Sequence, residues 1–309
     1  MYAYSPQFTR ALLHPRHWLT WFLVTIAYFI SWLPFPLLRL LGMGLGKLLK
    51  LVAKKRLRIA KRNFELSFPD MSEQQQAQLL NENCFNVGMA TIETMMGWWW
   101  PNWRLRNIGR VEGMEHVEAI LAKGKGVLGL AIHNMSLEVG FRMVGMRKPS
   151  VAFYRPHNNP VMDYLQYRGR ARSNRYLIHK RDIKALVSSL NEQEVCLYLP
   201  DQDYGRKATV FVPLFAVPET STTVGPVIMA NRANCETLLI ASQRTKTGYV
   251  VKFIPGLQDF PSGDDAADMT QMNQRIERLI MEAPEQYLWM HKRYKTRPGE
   301  NTPSLYDGM

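Results

Sequence analysis

Apolar and polar positions follow two rhythms along most of this chain. Short apolar runs bounded by turn residues, at 126–132, 150–154, 195–199, 235–242 and 249–254, read as strands. Between and around them, 114–123, 135–144, 160–170, 181–191, 222–231 and 266–281 carry helical spacing. A longer helix opens at Ser72, which forms a capping-box pattern with Gln75. Its apolar positions Leu79, Leu80, Phe85, Val87, Ile92, Met95 and Met96 run up to Trp98-Trp99-Trp100-Pro101. The three indoles belong either in the core or at a membrane interface, with the core favoured. This alternation predicts an α/β fold, a mixed sheet flanked by helices. In such sheets functional groups gather at strand ends, so the residues just after each strand are the first candidates for chemistry.

The N-terminal pattern is different. Trp18 to Leu38 is a 21-residue run without a charged side chain. Pro34 and Pro36 should end or kink a helix near Leu33, leaving about 16 regular residues, roughly 24 Å against a bilayer core of about 30 Å. The expectation is an N-terminal membrane helix with Trp18, Trp21, Tyr28 and Trp32 as interfacial anchors, followed by an amphipathic piece over 37–52. A cleaved signal peptide is the competitor, but no small-x-small site follows the run and Lys54-Lys55-Arg56 does. Buried helices of a soluble domain are the plainer alternative. Against them stand the many Lys and Arg with no acidic partner.

Charge sharpens the division. The 309 residues carry a net +13, yet residues 1–64 hold 11 Lys or Arg and no acid, and the rest hold 28 basic against 26 acidic residues. A basic excess beside the most apolar segment points to a membrane, not to nucleic acid. Nine of the eleven cations lie between Arg39 and Arg62, which predicts that the remainder of the chain stays cytoplasmic. The expected organisation is a membrane anchor with a basic amphipathic segment over 1–64 and a catalytic domain over 65–309. Three scattered cysteines, Cys84, Cys196 and Cys235, make neither a disulfide framework nor a zinc site and fit a reducing compartment. Neither a metal nor a cofactor is expected.

His133 stands directly after the first apolar strand, and Glu138 follows five positions later. Five helical residues rotate about 140° net, so the two cannot share a helix face and His133 must precede the helix. From there its ring can meet a carboxylate on the first turn, a base with an orienter. Alone the pair is a weak signal, since chance at this composition gives roughly 0.6 such spacings and one is found. More polar groups follow later strands and helices: Tyr154-Arg155-Pro156, then Gly169-Arg170-Ala-Arg172-Ser-Asn174, then Pro200-Asp201-Gln-Asp203-Tyr-Gly205. Arginines present planar forks to phosphate or carboxylate, and a loop Asp can orient an arginine or accept from sugar hydroxyls.

These blocks, with Phe211-Val-Pro-Leu-Phe215, Arg58-Ile-Ala-Lys-Arg-Asn63 and the ending from Ala283 to Pro298, resemble the lipid A late acyltransferases over nearly the whole chain. The resemblance is nearest to the lauroyl or palmitoleoyl transferase branch, within the glycerolipid acyltransferase superfamily that shares a His-x4-acid motif. It implies a glycerolipid acyltransferase-like fold and an enzyme at the cytoplasmic face of a bacterial inner membrane. Such an enzyme moves an acyl chain from acyl carrier protein to a hydroxyl of a 3-hydroxyacyl chain on the Kdo-bearing tetraacyl lipid A precursor. By position, His133 and Glu138 match the family's catalytic pair, and Arg170, Asp201 and Arg155 its substrate-binding residues. The rival readings are acyl transfer to lysophospholipid or glycerol phosphate by the same motif, and a non-enzymatic lipid-binding envelope protein.

Overall fold

Proline placement divides the apolar N-terminal segment into two helices. The computed structural model describes residues 5–180, 182–299 and 301–308. Helix α1 (Trp18–Ser31) has 14 residues. It ends before Pro34, and α2 (Phe35–Val52) begins after it with Pro36 in its first turn, where a missing N–H costs nothing. At 1.5 Å per residue α1 is about 21 Å long, short of a hydrocarbon core of about 30 Å. Among the described residues no helix is long and apolar enough to cross a membrane. The expected N-terminal membrane helix is therefore not supported as a crossing of the bilayer: the 21-residue run breaks at the prolines, and α2 carries Arg39, Lys47 and Lys50.

The basic stretch is itself a helix, α3 (Lys54–Ser67), with Ile59, Ala60 and Phe64 buried beneath its charged face. Helix α4 (Glu73–Trp99) starts at the expected capping box. The Ser72 hydroxyl accepts from the Gln75 N–H, and the Gln75 side chain accepts from the Ser72 N–H. Helix α2 packs along α4 at backbone contact. A Cβ on Gly88 would fall 2.2 Å from the Gly42 carbonyl oxygen, so only glycine allows the approach. Of the tryptophans ending α4, Trp98 and Trp100 are buried and Trp99 is half-buried.

After α5 (Asn102–Arg106) strands and helices alternate, with β1 and β4 additional to the expected strands: β1 (Gly109–Glu112), α6 (Met114–Ala122), β2 (Gly126–Ala131), α7 (Leu137–Arg147), β3 (Ser150–Tyr154), α8 (Pro160–Ala171), β4 (Asn174–His179), α9 (Ile183–Asn191) and β5 (Val195–Tyr198). There follow β6 (Thr209–Leu214), β7 (Val217–Thr223), α10 (Gly225–Ala230), β8 (Cys235–Arg244), β9 (Tyr249–Pro255) and α11 (Asp265–Met281). Arg181, the first residue of the expected 181–191 helix, lies outside the described residues. The seven-stranded sheet runs β1-β9-β8-β2-β5-β3-β4, parallel throughout except for the β8/β9 pair, and β6/β7 is a separate hairpin. The mixed sheet flanked by helices is borne out.

β2 lies at the sheet's centre and is buried on both faces. Leu128 and Leu130 enter the core with α9 and α11. Val127 and Ala131 enter the other core, with α4 and α7. Each fully buried side chain of Leu or Val size contributes roughly 1.5–3 kcal/mol, so this strand is a fixed reference for whatever its C-terminal end presents. Across the second core, Arg244 of β8 forms a buried two-pronged ion pair with Glu93 of α4, at 2.5 and 2.7 Å.

Candidate active site

Strand register decides which carboxylate meets His133. β2 and β5 are parallel neighbours with Leu130 opposite Tyr198. His133 and Asp201 each lie three residues further on, at the C-terminal ends of the two strands. There the His133 backbone N–H donates to Asp201 Oδ2 at 2.7 Å, and His133 Nδ1 lies 2.6 Å from Asp201 Oδ1. A carboxylate can only accept, so the ring proton sits on Nδ1 and leaves Nε2 as the basic nitrogen. The Asp201 side chain is 1% exposed and that of His133 23%, a buried orienter behind an accessible ring. Burial pushes the Asp201 carboxyl up. The His133 ring and its N–H bond more than reverse this, so its pKa lies below the ordinary 3.8.

The His133 loop is pinned from two sides. Asn134 and Ser136 both donate to the Ser242 carbonyl, at 2.7 and 3.0 Å. The C-terminal segment crosses over it, with Met135 N–H donating to the Gln286 carbonyl at 2.7 Å and Leu288 N–H to the His133 carbonyl at 3.1 Å. The buried Tyr287 hydroxyl donates to the Asp201 carbonyl at 3.2 Å. Residues 286–288 of the motif at 283–298 thus hold the His133 loop and the Asp201 backbone in place.

Glu138 projects from the first turn of α7 and has other partners. Arg170 of α8 grips it through Nε, 3.1 Å from Oε1, and through a second guanidinium nitrogen, while Trp98 Nε1 donates to Oε2 at 3.3 Å. Gly169 makes this possible, since a Cβ there would lie 2.4 Å from the Trp98 ring. The expectation that Glu138 fixes the histidine tautomer is thus corrected: Asp201 makes that contact, and Glu138 ties α7 to α8. Asp201 likewise does not face an acceptor, since its oxygens are spent on His133.

His133, Glu138, Arg170 and Arg155 all line one cavity of about 620 Å³, within the range of roughly 300–1,000 Å³ usual for ligand sites. Its apolar wall includes Phe141, Leu177, Leu197 and Ile228. Arg155 and Arg170 also line a shallower groove of about 400 Å³ with His157 and Gln166. A histidine base beside an apolar cavity is suited to deprotonating a hydroxyl on a lipid-like substrate.

The profile described as bacterial lipid A biosynthesis acyltransferase matches residues 5–296. The lipid A biosynthesis lauroyltransferase of Escherichia coli K12 is 42% identical over 303 residues, 97% of this chain and 99% of that protein. The chain belongs to this acyltransferase family. It is an O-acyltransferase. The E. coli K12 lipid A biosynthesis palmitoleoyltransferase is 40% identical over 97% of this chain and 98% of its own length. The myristoyltransferase of the same organism is 28% identical over 97% and 94%.

Three residues of this acyltransferase's site escaped the sequence reading. Trp98 and Tyr287 gave only an aromatic signal, which core packing explains as well. Arg142, on α7 one turn beyond Glu138, lines the cavity although its residue is only 3% exposed. It donates to the Asn102 side chain and to the Arg172 carbonyl, and no described carboxylate pairs with it. Burial, with Arg172 adding repulsion, lowers its pKa to about 10, so it remains a cation at neutral pH. Among the described residues no group of three or more His, Cys, Asp or Glu could hold a metal.

Proposed function

We propose that the chain transfers a fatty acyl group from acyl carrier protein to a hydroxyl of a 3-hydroxyacyl chain on the Kdo-bearing tetraacyl lipid A precursor. His133 Nε2 takes the hydroxyl proton as that oxygen attacks the thioester carbonyl. The C–O bond forms, the C–S bond breaks, and the imidazolium returns the proton to the leaving thiolate, with no acyl-enzyme. Asp201 holds the ring and balances its charge. A positioned base contributes about 10²- to 10⁴-fold, and the thioester is already activated. The Glu138–Arg170 pair and Arg155 form the polar rim against which the acceptor is placed, and the apolar wall receives acyl chain.

The observation that carries this reading is the Asp201–His133 pair opening on a cavity with an apolar wall, in a chain related along its length to lipid A acyltransferases. Membrane association belongs to the same proposal. Helix α1 exposes Trp18, Leu19, Phe22 and Phe29, each more than 60% accessible, beside a run of cations that suits an anionic inner leaflet. The assigned location is the cytoplasmic face of the inner membrane. The test offers purified protein an acyl carrier thioester with three acceptors side by side: the tetraacyl precursor, a lysophospholipid and glycerol phosphate. Preferred acylation of the precursor is expected. Preference for either of the others, or no transfer to any, would refute the assignment.

A further inference from the structure

A second cavity, of about 580 Å³, borders the first and is lined by Lys55 and Arg56 of α3 and by His291, Lys292 and Lys295 of the C-terminal segment. Tyr204 is common to the walls of both cavities. None of the four Lys and Arg side chains has an ion-pair partner among the described residues. Asp203, the lone carboxylate among the described lining residues, is already satisfied: it accepts from Thr296 N–H at 2.6 Å, from the Thr296 hydroxyl at 2.8 Å and from Gly205 N–H at 2.8 Å. Two of the cations are held in place. Arg56 donates to the Met290 carbonyl at 3.3 Å, and the Lys292 ammonium lies over the Tyr306 ring at 5.1 Å. Four cations against the one carboxylate of Asp203 leave the groove with an excess of three positive charges, which favours an entering anion.

We infer that this groove binds the phosphate of the acceptor lipid's headgroup while the acyl-bearing part of that lipid reaches His133 past Tyr204. The inference rests on the lipid acceptor proposed above and gives it an anchoring point. A headgroup is favoured over an acidic carrier protein by the groove's position. Leu51 and Val52, each 71% exposed, end α2 just before Lys54, so the cations stand beside strongly exposed apolar side chains. That pairing of exposed apolar surface and cations is how a protein meets the phosphate level of a lipid layer.

Two readouts test it on the full chain. In the first, lysine acetylation followed by mass spectrometry is run with a phosphorylated glycolipid acceptor and with its phosphatase-treated form. Protection of Lys55, Lys292 and Lys295 by the phosphorylated lipid alone is expected, and equal protection by both or by neither overturns the inference. In the second, Lys292→Glu combined with Lys295→Glu is expected to raise the acceptor KM about tenfold or more while leaving the KM for the carrier thioester within twofold. A rise in the thioester KM instead would make the groove a carrier-protein surface and overturn it, as would no change in either. The milder Lys292→Gln with Lys295→Gln covers the case in which charge reversal disturbs folding. Footprinting needs no turnover, so absence of acyl transfer would sink the proposed reaction while the groove is still read independently.

Discussion

An imidazole becomes a directed base only when something fixes which nitrogen carries its proton. In this chain that group is Asp201, which accepts from both the backbone and the ring of His133. Asp201→Asn keeps the size but can present an amide donor to Nδ1 and so favour the wrong tautomer. A fall in kcat of about 10²-fold or more with little change in KM is expected in steady-state assays. The same residue gives a stability signature. Its folded pKa lies below 3.8, so its contribution is complete above that value and is lost as pH falls through the lower folded value. The Tm gap between wild type and Asp201→Asn should therefore be fully present above about pH 4 and shrink as the pH falls further. A gap that stays undiminished as the pH falls well below that value would contradict the pairing. His133 was legible in sequence because it ends a strongly apolar strand, and so was Asp201. Their partnership was not, because a carboxylate five residues away competes with one 68 residues away until strand register is known.

The elements show the same limit. β2, β3, β5, β8 and β9 announced themselves because interior strands are continuous apolar runs. β1 and β4 lie at the sheet's two edges: β1 alternates half-buried with exposed positions, and β4 starts the same way and buries only Leu177 and Ile178 together, so neither carries a long apolar run. β6 and β7 contain Pro213 and Pro218, which lower any strand expectation, and they pair only with each other. Two element-scale contacts hold α4, and through Trp98 the Glu138 side of the cavity. Glu93→Ala would leave Arg244 charged and 7% exposed without its partner, and a loss of about 3–5 kcal/mol in denaturant unfolding is expected. At Gly88 even alanine would collide with the α2 backbone, and overpacking of this kind costs about 1–3 kcal/mol or more. Unfolding midpoints within error of wild type for either variant would contradict these assignments.

For the molecule as a whole, the N-terminal third is both part of the fold and its most exposed apolar surface. Leu38 and Phe64 are fully buried with residues of the later chain, while Trp18, Leu19 and Phe22 face outward. The apolar segment and its cations were readable from the sequence, but the two prolines cut the run into helices shorter than a bilayer. Association is then expected to lie in the interface plane. Leu19→Ser with Phe22→Ser should weaken flotation with anionic vesicles at least tenfold, since each buried side chain of this size is worth about 1.5–3 kcal/mol. Unchanged flotation would remove α1 from the contact. The proposed reaction requires that Asp201 act through His133. A double-mutant cycle on kcat, using purified protein, acyl carrier thioester and the tetraacyl precursor, measures that coupling. Asp201→Asn is expected to cost about 10²-fold or more in the wild-type background and almost nothing further once His133 is alanine. Equal losses in both backgrounds would mean that the two side chains act independently, and the mechanism would fall.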